Sequence, residues 1–487
     1  MNRYTTIIIG GGLGGLLCGI LLSKKGQKVC ILEKHKHVGG NLQGFTRKGE
    51  YFDTGMHYIG THKPGSILHK VFEIFGANEF LDTQDLDSNG FDTISFRGKD
   101  YKFAVGFENF EKQMIDYFPS EKDGIIRYVK TIRDIYKSLS IDTIFNPILE
   151  NQHLCESAYE FISSCTSNEA LQNVLAGNSP LYAGEKSITS LYMHALISGF
   201  YIEGAARFVG GSHQFAEKLA AQITENGGCV KTDCEIVSLN IKDSKISSCT
   251  DTKGTVYEAE SFVSSIHPAV LMKIIPETGL RKAYQKRIEN LKNTTGIFTV
   301  YAVMKPDTFP YINSNFYVYR NNDVWLSKET ESDTFPSSYI FMTSAQTKQQ
   351  QFAKTIKIMT YMNFEQVRRW ENTLKKKRGE DYENFKIQKA EQILQAVGEK
   401  FEGFREKVQE YYTSSPLTFR DYTATPEGSI YGIVRDFHKQ AESYIPVRTK
   451  IPNLFLTGQN INLHGILGVS IVSLLSCSAV LGYNIRE

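Results

Sequence analysis

The feature that most constrains this chain is a glycine turn near its start. Residues 4–9 (YTTIII) form a continuous apolar and β-branched run, the pattern of a strand buried on both faces of a parallel sheet. The run ends in Gly10-Gly11-Gly12-Leu13-Gly14-Gly15, which satisfies G-x-G-x-x-G at Gly10, Gly12 and Gly15. An apolar helical stretch through residues 16–25 follows, with Gly26 placed as its C-terminal stop. A second strand over residues 28–32 leads into Glu33, eighteen residues beyond Gly15. Each piece has a physical role. Gly10 permits the tight turn, Gly12 lets backbone approach a pyrophosphate, and Gly15 allows the helix to pack on the sheet. The unpaired N–H groups and positive dipole of the helix N-terminus favour the phosphate charge. Glu33 is positioned to accept both hydroxyls of an adenosine ribose, and its charge disfavours a 2′-phosphate.

Two further glycine patterns select FAD over NAD. Gly39-Gly40, in the run EKHKHVGGNLQGF, resembles the pattern that extends the phosphate loop in large flavoproteins, and Phe52-Asp53-Thr54-Gly55 resembles the one that brings backbone close to the isoalloxazine edge there. No second G-x-G-x-x-G stands downstream to mark a nicotinamide domain.

Composition narrows the classes. A length of 487 residues implies more than one domain around a shared interface. The 55 Lys+Arg against 53 Asp+Glu leave a net charge of +2, which removes the electrostatic case for nucleic acid. The eight cysteines make no C-x-x-C pair and no Cys/His cluster at zinc spacing, so buried thiols and no metal are expected. The N-terminus has no secretory pattern, which points to the cytoplasm. Residues 463–483 are uncharged and long enough to suggest a membrane span, but three glycines and four serines dilute them, and a buried helix is expected.

FDTGMHYIG (52–60) and NLFLTGQNINLHGILGVSIVSLLSCSAVLG (453–482) resemble the phytoene desaturase, carotenoid isomerase and retinol saturase superfamily. His57-Tyr58-Ile59-Gly60 after FDTG is most similar to the retinol saturase branch, as are RFVGGSHQFAEKL (207–219), VSSIHP (263–268) and SPLTFRDYTATPEGSIYG (415–432). The resemblance implies an α/β fold, with a Rossmann-like FAD-binding domain and an inserted mixed α+β substrate domain. The FAD domain is expected over 1–75, 205–290 and 440–487, and the substrate domain over 76–204 and 291–439. Residues 216, 219, 220 and 223 predict an amphipathic helix ending at Gly227-Gly228, followed by strands from 229 and on both sides of a turn at 251–254. Ile387, Ala390, Leu394, Val397 and Phe401 predict a packing stripe on a helix over 381–401.

Cofactor contacts are implied at Gly10, Gly12, Leu13, Gly14 and Gly15 in the first turn, and at Glu33 and Lys34 at the ribose. Gly39, Gly40, Asn41, Gly55, Met56 and His57 follow in the second block. The backbone of Ile236 and Val237 is implied at the adenine edge. In the C-terminal block Gly458, Gln459, Gly465, Ile466, Gly468 and Val469 are implied, with a helix N-terminus aimed at the flavin's pyrimidine edge. There the dipole would stabilise negative charge on the reduced flavin.

The expected activity is FAD-dependent chemistry on a carbon–carbon double bond of an apolar polyene or isoprenoid lipid. Saturating such a bond requires a proton donor, for which His57 and Tyr431 are the first candidates and Tyr58, His464, His267 and His194 the others. Desaturation and cis–trans isomerisation use the same fold and stay open, as does a lipid-binding flavoprotein without turnover. Asn41 stands where amine oxidases carry an arginine, which disfavours amine oxidation. A lipid substrate suggests peripheral membrane contact. The basic run 368–378 (RRWENTLKKKR) is read as a solvated helix face that could touch a surface. The electron partner is left open.

Overall fold

The computed structural model describes residues 3–145, 152–277, 279–326 and 335–485. The first strand, Arg3–Ile9, lies at the centre of a seven-stranded sheet. Val29–Leu32 and then Cys229–Lys231 pair on one side of it, and Val256–Ser264 on the other, all in parallel. Leu454–Leu456 adds in parallel beside Val256–Ser264. Lys245–Asp251 and Ile236–Lys242 extend the sheet antiparallel, and the expected turn at 251–254 joins Lys245–Asp251 to Val256–Ser264. This is a Rossmann-like parallel core with an antiparallel extension.

Two helices with no polar face pack on this sheet. Leu13–Lys24 is buried along all but its last residue, and it packs between Gly465–Leu481 and His213–Glu225. A helix apolar all round belongs inside a protein or inside a bilayer. For Gly465–Leu481 the structure answers with protein, because Ser473 Oγ donates to Gly14 O at 3.3 Å and Cys477 Sγ to Cys18 O at 3.9 Å. Among the described residues no helix is long and apolar enough to cross a membrane.

A second seven-stranded sheet runs in the order Val408–Ser414, Gly296–Met304, Thr355–Met362, Ser338–Thr343, Asn315–Tyr319, Asp92–Phe96 and Lys99–Phe103. It is antiparallel except where Asn315–Tyr319 meets Asp92–Phe96. Strand alternation gives it two apolar faces. Phe298, Val300, Phe341, Ile356 and Ile358 pack on the Glu380–Lys400 helix, while Ile297, Tyr317, Ile340, Met342 and Met359 face the other way. That second face looks toward the largely buried helix Leu191–Glu203 and its helical neighbours. A small sheet of Ile59–Gly60, Ala205–Phe208 and Thr83–Asp85 links the two halves of the molecule.

Two sequence expectations need correction. The buried stripe of Glu380–Lys400 runs through Tyr382, Ala390, Ile393, Leu394 and Val397, whereas Ile387 is 51% exposed. The covered path passes over Lys386, whose side chain is only 17% exposed, and its aliphatic stem serves as apolar surface. The basic run 368–378 is not a helix but a 3₁₀ turn and loop. Trp370 is buried and donates to Asp381 at 2.7 Å, Arg378 is buried against Asp421, and Arg368 pairs with Glu365 and Glu427. Arg368 and Arg378 are thus paired, while Arg369, Lys375, Lys376 and Lys377 stay exposed, as the expected solvated face requires.

Candidate functional site

The glycine turn folds as its spacing demands. A Cβ on Gly15 would stand 2.1 Å from Gly10 O, so only glycine lets the helix start against the strand end. A Cβ on Gly14 would meet Gly458 Cα at 2.9 Å, which fastens the N-terminal turn to the C-terminal block. Gly39 N donates to Gly11 O at 2.7 Å, and Gly40 lies against Gly12, so the second glycine pair sits on the first. Glu33 is buried and accepts from Gly11 N at 2.7 Å and His35 N at 2.9 Å. These bonds fix the carboxylate at the strand end beside Lys34 and leave further lone pairs for hydroxyl donors. The backbone of Cys234 donates to Glu33 O, which draws the segment leading to Ile236 alongside it. Ile236 is buried, whereas the Val237 side chain is exposed.

Further along, Asn41 Nδ2 donates to Gln459 Oε1 at 3.1 Å. Asn41, Gly55, Met56, His57, Tyr431, His464, Gly465 and Ile466 then wall one cavity. The rest of its wall is the second sheet, with Tyr317, Tyr319, Ile340, Met342, Met359 and Tyr361, and the helical side, with Leu181 and Tyr201. No Asp, Glu, Lys or Arg is among its described lining residues. Gly468 and Val469 lie behind it in the helix, where a Cβ on Gly468 would clash with Leu463.

The residues present fit a long anionic group that ends in a flat ring. Neither Leu13–Lys24 nor Gly465–Leu481 is capped by its own N-cap side chain. In the first of them Gly15 N donates to Ser265 Oγ, and the other first-turn N–H groups have no intrahelical acceptor and can meet a ligand. A Cβ on Gly465 would meet nothing within 4 Å, and one on Gly12 only Ser265 Oγ at 3.8 Å. His57 Nδ1 is buried in the cavity wall without a hydrogen-bond partner among the described residues.

The proton-donor candidates separate. Burial, together with the charges of Lys357 and Arg207, holds the His57 imidazole well below its ordinary range, so it is neutral at neutral pH. Burial, with Arg435 nearby, lowers His464 to about 4, and its ring lies 4.7 Å from that of Tyr431. Tyr431 Oη donates to Pro180 O at 2.9 Å. Tyr58 Oη donates to Asp92 Oδ2 at 3.0 Å and meets Tyr317 Oη in a short contact. His267 caps the Pro268–Ile274 helix by accepting from Ala269 N, and its other ring nitrogen bonds Asn293. His194 sits between Tyr128 and Tyr182 at 2.8 Å each. Neither of these two histidines lines the cavity.

A buried ion pair stands behind the wall. Lys357 Nζ lies 3.3 Å from Asp53 Oδ2, with both side chains at most 8% exposed, and Asp53 Oδ1 accepts from Ser212 N and Oγ. The pair anchors the FDTG segment to the second sheet.

A family model described as flavin containing amine oxidoreductase matches residues 13–469. The chain belongs to that family. Human all-trans-retinol 13,14-reductase is 27% identical over 99% of this chain and 86% of its own length. A zebrafish (Danio rerio) protein named inactive all-trans-retinol 13,14-reductase is 23% identical with the same coverage, and prolycopene isomerase 1 from an Oncidium hybrid cultivar is 23% identical over 88% of this chain and 75% of its own. Among solved structures, an oxidoreductase from Methanosarcina mazei superposes with a TM-score of 0.66 at 17% identity, covering 96% of this chain and 98% of that one. Wild-type putrescine oxidase bound to putrescine gives 0.66 at 13% identity, covering 99% of each. These place the chain in the amine-oxidase fold, and as a flavin amine oxidoreductase it shares the layered α/β architecture with proteins of several chemistries.

Sequence reasoning did not single out Ser265, whose Oγ accepts from Gly15 N at 3.1 Å, or Tyr201, Tyr317 and Lys357. Ser265 lies inside the quoted VSSIHP run and was legible there. The other three sit in stretches whose pattern is ordinary core.

Proposed function

We propose that this flavin oxidoreductase binds FAD and reduces one carbon–carbon double bond of a long, apolar, conjugated lipid. The observation that carries this reading is the cavity wall, which is mainly aromatic and aliphatic and has no Asp, Glu, Lys or Arg among its described residues, its two histidines, His57 and His464, being held neutral by burial. An ammonium substrate would find no counter-charge there, and burying it unpaired would be costly. A hydrocarbon chain meets Leu181, Ile297, Ile340, Met342 and Met359, and the tyrosine rings supply flat surface for a polyene. The nearness in sequence to proteins named all-trans-retinol 13,14-reductase supports the same substrate class.

FAD, when bound, supplies hydride transfer to one carbon of the bond. The glycine turn and Glu33 would hold its pyrophosphate and ribose, and Asn41, Gly55 and Gly465 would surround its ring. The chain's own residues position the lipid, exclude water and provide the proton for the neighbouring carbon. The test is anaerobic. The yellow protein is photoreduced, mixed with all-trans-retinol or another polyene, and followed by flavin absorbance and product mass. Reoxidation with a product two hydrogens heavier is expected. Geometric isomers at constant mass would replace saturation with isomerisation, and an unaltered lipid would remove polyenes as acceptors.

A further inference from the structure

Behind the cavity wall lies a chain of polar groups that nothing in the glycine motifs requires. Tyr317 and Tyr58 face the cavity, and their hydroxyls are in short contact with each other. Tyr58 Oη also bonds Asp92 Oδ2 at 3.0 Å. Asp92 has no exposed surface and lies in the strand beside Asn315, whose Nδ2 donates to Asp92 Oδ1 at 2.9 Å. Arg207, itself 2% exposed, is held off the carboxyl by that asparagine. Its Nη2 donates to Asn315 Oδ1 at 2.7 Å and to Ser314 O, and its Nη1 to Thr343 Oγ1, Ile312 O and Tyr311 Oη.

A buried carboxyl that is not directly paired with a cation is costly to ionise. The titratable groups facing Asp92 are Tyr58, Tyr317, Tyr201 and Tyr319, all of which resist ionisation through burial, and the cation facing it is Arg207. Burial raises the carboxyl to about 7, against the hydrogen bonds from Asn315 and Tyr58 and the charge of Arg207. A carboxyl in this state exchanges its proton readily near neutral pH.

We propose that Asp92, Tyr58 and Tyr317 form a proton relay that ends on the cavity, with Tyr317 or Tyr58 as the group that protonates the substrate carbon. The inference rests on the saturation reading. The balance is simple. One carbon of the double bond takes a hydride, with its electron pair, from the reduced flavin, and the other takes a tyrosine proton. In its protonated form Asp92 donates from Oδ2 to Tyr58 Oη, returns that proton to the tyrosine and is left as the carboxylate that accepts from Tyr58. Having no exposed surface, it is reprotonated back through the same tyrosines from water that enters the cavity once the product has left. Asp92 is a positioning and proton-storing residue, since it touches no substrate. Asn315 and Arg207 set its orientation and charge.

Two readouts test this on the FAD-loaded protein. In isotope-edited infrared spectra, a carboxylic acid band is expected that fades as pH rises through about 7 and is missing in Asp92→Asn. In single-turnover reoxidation by a polyene, Asp92→Asn and Tyr58→Phe should each slow the reaction by about 10²-fold. The native rate should fall as pH rises through neutral, and the Asp92→Asn rate should be flat. Tyr317→Phe keeps the relay testable if either variant is poorly soluble, and it should slow the reaction as well. An Asp92 that is ionised at every pH, or a Tyr58→Phe, Tyr317→Phe double variant that reacts at the native rate, overturns the relay. Failure of the saturation reading looks different. The native protein itself would not be reoxidised by any polyene, and the delivery role would fall with it even where the infrared band titrates.

Discussion

Asn41 Nδ2 and Gln459 Oε1, 418 positions apart in the chain, share a hydrogen bond of 3.1 Å at the edge of the cavity. The contact closes a ring begun by Gly14 against Gly458. Together the two contacts make the site a product of both chain ends, so damage to either should release the cofactor.

Gly14→Ala tests the closer of these contacts. The new methyl would lie 2.9 Å from Gly458 Cα, and backbone on both sides leaves little room to yield. A loss of about 1–3 kcal/mol in stability is expected. The purified variant should also carry less flavin, read as the ratio of visible to ultraviolet absorbance. Full flavin content at native stability would show that the turn can relax.

Lys357→Met should be severe. Among the described residues it leaves the buried Asp53 carboxylate with Ser212 as its remaining partner, and removing one member of a buried pair costs about 3–5 kcal/mol. Urea unfolding measures the loss. The double variant Asp53→Asn, Lys357→Met should recover part of it, because no charge is then left uncompensated.

Tyr431→Phe should do little. Its hydroxyl is committed to Pro180 O at 2.9 Å, and the ring that lies against His464 is kept. Loss of one such bond corresponds to about 10-fold at most in rate or affinity. Steady-state kinetics with a polyene would check this, and a fall near that assigned to Tyr58→Phe would move the proton donor to Tyr431.

Stability should fall on acidification. Burial lowers His464 and His267 to about 4 and His194 to about 3, from 6.5 in the unfolded chain. The unfolded state therefore binds their protons first, and the stability present above 6.5 is lost as pH drops toward the folded values. Asp92 acts in the opposite sense. Its folded value of about 7 lies above 3.8 unfolded, so its contribution is lost as pH rises from 3.8 to 7. Three histidines outweigh one aspartate, and urea midpoints should decline below pH 6.5. Asp92→Asn removes the counter-trend and should steepen that decline.

Much of the glycine-rich N-terminal turn and of the C-terminal block was legible in the sequence. The turn at Gly10–Gly15, Glu33 at a strand end and the buried helix at residues 465–481 depend on local rules, because backbone conformation, helix polarity and strand burial leave marks within a few residues. The stripe of the Glu380–Lys400 helix bypasses Ile387 all the same, since a lysine stem can cover apolar surface that a hydropathy pattern assigns elsewhere. The cavity and its polar backing were decided by tertiary structure alone. Tyr58 stood among the sequence candidates, but Asp92, Arg207 and the pair Asn315 and Tyr317 come from three strands far apart in the chain, and each looks ordinary beside its chain neighbours. What they do depends on which face each strand turns inward and on the water that packing removes, and burial of Asp92 out of reach of its nearest cation exists only once the second sheet has closed over it.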